Sequence, residues 1–134
     1  MSDLLSRLRH ALEDEADVAY AVLFGSTARG TAHAGSDVDI AIELRPRAPR
    51  DARALGGLAA RLQSAIGCRV DLVLLDEAPA PLAYRIFRDA RLLVAKDHAA
   101  LVARKARALL AYLDWKPIEA RCAEGVLRAA ARGR

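Results

Sequence analysis

The stretch Asp37-Val38-Asp39-Ile40-Ala41-Ile42-Glu43-Leu44 alternates without a break. Successive side chains of an extended strand point to opposite faces, so Val38, Ile40, Ile42 and Leu44 share one face. Asp37, Asp39, Ala41 and Glu43 share the other. The aliphatic face demands a core. The two aspartates at the start of the strand stand side by side, and neighbouring carboxylates repel unless a cation lies between them.

The segments around this strand read in turn as helix and strand. Leu4, Leu5, Leu8 and Leu12 recur at helical spacing, which predicts an amphipathic helix over residues 2–15. Val18–Ser26 is an apolar run of β-formers that stops at Gly25, the pattern of a buried strand entering a tight turn. Residues 27–36 are small and glycine-containing, which predicts a helical turn and a loop. Residues 45–50 form a loop, and helical spacing returns over 51–66 with Gly67 as its C-cap. A third strand is expected over 68–76, a short helix over 79–90 with Pro81 near its first turn, and a fourth strand over 91–96. A long helix then runs from Asp97 to Leu113, Lys116-Pro117 is expected to break it, and a last helix spans 118–132. This order predicts an α+β (mixed α/β) domain, a small central mixed sheet flanked by helices, with further helices at the C-terminus.

At 134 residues the chain is expected to form a single domain over 1–134, with a core at about 18–95 and C-terminal helices at about 97–132. Aromatic residues are only 4%, so aliphatic side chains must build the core. Cys68 and Cys122 are too few for a disulfide framework or a zinc cage. The absence of a long apolar run and of a signal-peptide pattern implies a cytoplasmic protein without a membrane partner. Residues 96–134 hold nine Lys/Arg against four Asp/Glu, so the basic excess sits in the C-terminal helices. An acidic partner suits them, whereas direct binding of nucleic acid is not expected from so modest a bias.

Chemistry concentrates at Gly25-Ser26 and Asp37-x-Asp39. A strand that ends in Gly-Ser and turns into helix points backbone N–H groups and a hydroxyl outward, which suits a phosphate, and glycine lets that phosphate approach the backbone. Hard Mg²⁺ prefers carboxylate, water and phosphate oxygens. A phosphate cradle beside an Asp-x-Asp strand is the layout for a metal-bound nucleoside triphosphate. Asp71 lies in an otherwise apolar strand between Val70 and Leu72. Beside Asp39 across the sheet it would serve as a third metal ligand and as a base for an attacking hydroxyl. Asp76, at the strand end, is the weaker candidate.

Gly25-Ser26-Thr27-Ala28-Arg29-Gly30, followed by Ser36-Asp37-Val38-Asp39-Ile40 with Asp71 downstream, resembles the polymerase-beta-type nucleotidyltransferase superfamily. Within it the pattern is similar to the minimal nucleotidyltransferases of prokaryotes, over about residues 18–95. The resemblance implies that Gly25 and Ser26 hold the β- and γ-phosphates of ATP. It implies that Asp37, Asp39 and Asp71 bind Mg²⁺, two ions in all, with Mn²⁺ as the other candidate. An acceptor hydroxyl would then attack the α-phosphorus and release pyrophosphate. Members of this group are frequently encoded beside a HEPN ribonuclease toxin, and some act as antitoxins by attaching AMP to a toxin tyrosine. The resemblance therefore implies a hetero-oligomer with such a toxin. A non-catalytic antitoxin that binds by occlusion, and a small-molecule nucleotidyltransferase of the aminoglycoside type, are the competing functions.

Other residues have plainer readings. Arg29 either steers phosphate or pairs with a carboxylate to hold its loop. Thr27 and Ser36 read as capping residues, and His10 and His33 as exposed. Tyr20 belongs in the core, and Tyr84, Tyr112 and Trp115 line a partner surface or an adenine pocket, or simply pack.

Overall fold

The computed structural model describes residues 2–25, 28 and 37–132, without the side chains of 2, 118, 119, 126, 127 and 130–132. Its elements are α1 (Ser2–Glu13), β1 (Val18–Phe24), β2 (Val38–Leu44), α2 (Ala52–Ile66), β3 (Val70–Leu74), α3 (Ala80–Asp89), β4 (Arg91–Ala95) and α4 (His98–Arg132). The four strands form one mixed sheet in the order β3-β2-β1-β4. β1 pairs antiparallel with both β2 and β4, and β2 pairs parallel with β3. The mixed α+β architecture expected from the alternation of patterns is the one observed. Among the described residues no helix is long and apolar enough to cross a membrane.

Each face of the sheet has its own core. Leu5, Leu8 and Leu12 of α1 and Leu58, Leu62 and Ile66 of α2 cover the aliphatic face of β2 together with Ala21, Leu23 and Val70. On the other face Ala19, Tyr20, Val22 and Ala41 meet Ile86 of α3 and Leu101 of α4. β1 is thus buried on both sides, which explains its continuous apolar run. Local signals set the ends of α2. Asp51 accepts a hydrogen bond from the Ala54 amide at 2.9 Å, and Gly67 closes the helix at a φ of 72°.

Two expectations need correction. The third strand is Val70–Leu74, not 68–76: the left-handed turn at Gly67 leaves Cys68 exposed, and residue pairing with β2 begins at Val70. Lys116-Pro117 does not divide the C-terminal segment, because α4 is a single helix of 35 residues with Pro117 inside it. Proline removes one backbone donor, but the surroundings of Pro117 are exposed, so water can satisfy the carbonyl left over. The residues that follow, Ile118 to Glu124, contain no glycine to favour a turn.

One polar group ties α4 to the sheet. The buried Tyr20 hydroxyl donates to Glu43 Oε1 at 2.8 Å, and Arg104 Nε of α4 donates to the same oxygen at 2.8 Å. Burial, with the Glu43 carboxylate second, pushes the Tyr20 phenol far above its ordinary range. Tyr20→Phe is expected to cost about 1 kcal/mol in chemical denaturation, since the Glu43–Arg104 pair survives. Glu43→Ala strands the phenol and Arg104 together and is expected to cost about 2–3 kcal/mol. Equal losses would contradict the assigned geometry.

Candidate active site

The sheet topology assembles the site at one end of the molecule. In the antiparallel register Phe24 of β1 lies opposite Asp39, and in the parallel register Asp39 lies opposite Asp71. Directly paired residues share a face, so Phe24, Asp39 and Asp71 form a row across three strands on the side of α3. Asp37 stands just before β2, half-buried, where the Val38 amide donates to the Arg69 carbonyl at 2.9 Å. Asp39 is half-buried, and Asp71, on the edge strand β3, is exposed.

Gly25 meets this row from above. Its φ is 75°, a left-handed conformation, and it closes directly on Asp39. A Cβ built on Gly25 would overlap Asp39 Oδ2 and lie 3.1 Å from its Cγ. Glycine is needed here twice, for the backbone angle and for the approach of backbone to carboxylate. Ala28 is helical and buried in the aliphatic core. Ser26 and Arg29, with Thr27, Gly30, His33, Gly35 and Ser36, lie outside the described residues.

The acidic trio shares a sheet end without closing into a cage. Among the described residues no group of three or more His, Cys, Asp or Glu is spaced to hold a metal ion together. In kind the donors do suit a hard cation, being carboxylates only. Asp76 has another task. It takes a two-pronged pair from Arg50, at 2.7 and 2.9 Å, which holds its carboxyl below the usual carboxylate range and fastens the loop before α2 to the turn after β3.

Two cations near Gly25 were not singled out from the sequence. Beside Phe24 and Gly25 lies a cavity of about 220 Å³, walled on its α3 side by Arg85, Ile86, Arg88 and Asp89. Arg88 Nη2 pairs with Asp89 Oδ2 at 3.0 Å, and Arg85 Nε donates to the Pro81 carbonyl at 3.4 Å. Asp39 against Gly25 and the guanidiniums of Arg85 and Arg88 in the adjoining cavity together make a set that can hold a metal-bound polyphosphate. Arg85 and Arg88 sit on an amphipathic helix where arginines ordinarily face solvent, and only the topology brings that helix end to Gly25. Another cavity, of about 370 Å³, lies at the far end of the strands near Val18 and Leu44. There Arg61 is already paired with Glu15, at 2.8 Å.

Residues 6–99 match the family described as "Polymerase beta, Nucleotidyltransferase". No curated protein matches the chain by sequence. A chain of a toxin–antitoxin complex solved with AMP-PNP is similar at 25% identity and a TM-score of 0.76, over 92% of this chain and 98% of that one. A structure solved as a candidate minimal nucleotidyltransferase is 26% identical with a TM-score of 0.59, over 67% of this chain and 92% of that one. A chain from the complex of tri-AMPylated Shewanella oneidensis HEPN toxin with MNT antitoxin shares the fold, at 22% identity and a TM-score of 0.70, over 92% of this chain and 96% of that one.

The contact of Gly25 with Asp39 is open to a double-mutant cycle. Gly25→Ala is expected to lose about 1–2 kcal/mol from left-handed strain, and more because Asp39 must rotate away. In an Asp39→Ala background the second part vanishes, giving a coupling of about 0.5 kcal/mol or more in denaturation curves. Strict additivity would mean that the two residues do not touch.

Proposed function

Because this chain belongs to the polymerase beta nucleotidyltransferase family, we propose that it transfers AMP from ATP to a hydroxyl, that of a tyrosine, on a cognate HEPN-type toxin and acts as the antitoxin of a cytoplasmic pair. The observation that carries the reading is the row of Asp39 and Asp71 with Gly25 folded against it. AMP-PNP in a similar complex supports ATP as the nucleotide, and the AMPylated toxin in a complex of the same fold supports AMP as the group transferred.

The residues take these roles. Gly25 and Ser26 hold the β- and γ-phosphates through backbone N–H groups and the serine hydroxyl, and Arg29 steers the same phosphates. Asp37, Asp39 and Asp71 would hold Mg²⁺, in two positions, or Mn²⁺. The bound cation would offset the charge that develops on the phosphoryl and leaving oxygens. Asp71 accepts the proton of the acceptor hydroxyl as its oxygen bonds to the α-phosphorus and the bond from that phosphorus to the pyrophosphate oxygen breaks. Its exposure on an edge strand supports this role, because a folded protein acceptor can reach it there.

α4 supports a protein partner. Val102, Leu109 and Leu113 fall along one helical stripe and are 52%, 48% and 53% exposed, with Leu110 beside them at 62%. Basic residues accompany this stripe, which suits an apolar surface with an acidic rim.

Incubation with labelled ATP, Mg²⁺ and the toxin encoded beside it should place label on the toxin. Asp37→Asn or Asp39→Asn should lower that transfer by about three orders of magnitude or more while thermal stability holds or rises. Neutralisation without label, indifferent to Asp39→Asn, would instead support occlusion, and label confined to an aminoglycoside would support small-molecule transfer. Removal of residues 117–134 should weaken toxin binding more than ATP binding, as read by calorimetry. Equal losses would mean that this half of α4 builds the nucleotide site.

A further inference from the structure

The chain has two Phe, three Tyr and one Trp, and three of these six rings gather in one place outside both cores. Tyr84 of α3 and Tyr112 of α4 stack with centroids 3.9 Å apart and planes 6° apart. Trp115 lies one turn further along α4, 6.3 Å from Tyr112 and tilted by 31°. All three are half-buried and border a cavity of about 270 Å³ whose other walls are Pro81, Arg85 and Arg88. Arg85 and Arg88 also border the cavity beside Gly25. The two spaces therefore adjoin across these two arginines. Tyr84 and Arg88 are four residues apart on α3, about one helical turn.

We infer that the aromatic cleft between α3 and α4 takes the purine ring of the nucleotide, while Arg85 and Arg88 meet its phosphates. The inference rests on the nucleotidyltransferase reading of the Gly25 site and adds the base and two cations to it. Flat rings stacked beside guanidiniums are what base-and-phosphate recognition uses, since every base offers a π-face and every phosphate a negative charge. Arg88 borders both spaces, and its guanidinium is held there by Asp89. The rings meet where α3 packs against α4, outside the two cores that cover the sheet, and they leave a cavity beside them.

Trp115, the sole tryptophan, reports on the cleft. The full-length protein is titrated with Mg²⁺-ATP and, separately, with inorganic tripolyphosphate, while tryptophan emission and calorimetric heat are followed. ATP should change the emission, and tripolyphosphate should bind without changing it. Tyr112→Leu, which keeps apolar volume, should weaken ATP by about tenfold and leave tripolyphosphate unaffected, and Tyr112→Phe should restore ATP affinity. Arg88→Ala should weaken both ligands. Unaltered ATP affinity in Tyr112→Leu, or emission that responds to the toxin and not to ATP, overturns the cleft assignment and leaves the Gly25 site standing. Failure of both ligands to bind the wild-type protein overturns the Gly25 reading and this one with it.

Discussion

The position of β2 between an antiparallel and a parallel neighbour is the constraint on which the rest depends. Antiparallel pairing brings the end of β1, with Phe24 and Gly25, to the start of β2. Parallel pairing brings the start of β3, with Asp71, to the same end. A slip of one residue in either ladder would turn Asp39 into the aliphatic core and Ile40 out of it, so burial of Val38, Ile40 and Ile42 guards the placement of the carboxylates. The core face of the strand thereby sets the geometry of the polar one.

The two faces of the sheet divide the work. α1 and α2 close an aliphatic core that carries no part of the site. α3 and α4 cover the other face near its middle, and Arg85 and Arg88 of α3 border the cavity beside Gly25. The Tyr20–Glu43–Arg104 group fixes α4 to the sheet at the opposite end of the same strands. End to end α4 spans about 52 Å, much further than the sheet needs. One helix thus packs on the body of the domain through one side and presents the exposed apolar stripe of Val102, Leu109 and Leu113 on another.

Much of this was legible in the chain because the signals are local. The alternation of 37–44, the apolar run that ends at Gly25 and the C-cap at Gly67 each specify their own segment without knowledge of the rest. Asp71 could be singled out because a carboxylate inside an apolar strand is out of place. The misses are of another kind. Proline chemistry at Pro117 predicted a break, but a solvated helix can lose one hydrogen bond and continue. Arg85, Arg88 and the stacking of Tyr84 on Tyr112 depend on how α3 and α4 cross, which no single segment records.

The central claim is that Gly25, Asp37, Asp39 and Asp71 act on one metal-bound triphosphate at one end of the sheet. A crystal structure with Mn²⁺ and a non-hydrolysable ATP analogue, read by anomalous scattering, tests this most directly. The expected result is a manganese peak within ligand distance, about 2.1 Å, of Asp37 and Asp39 oxygens, with Asp71 turned toward it and the triphosphate on the Gly25 amide. A peak elsewhere on the molecule, or a triphosphate bound away from Gly25, would contradict it.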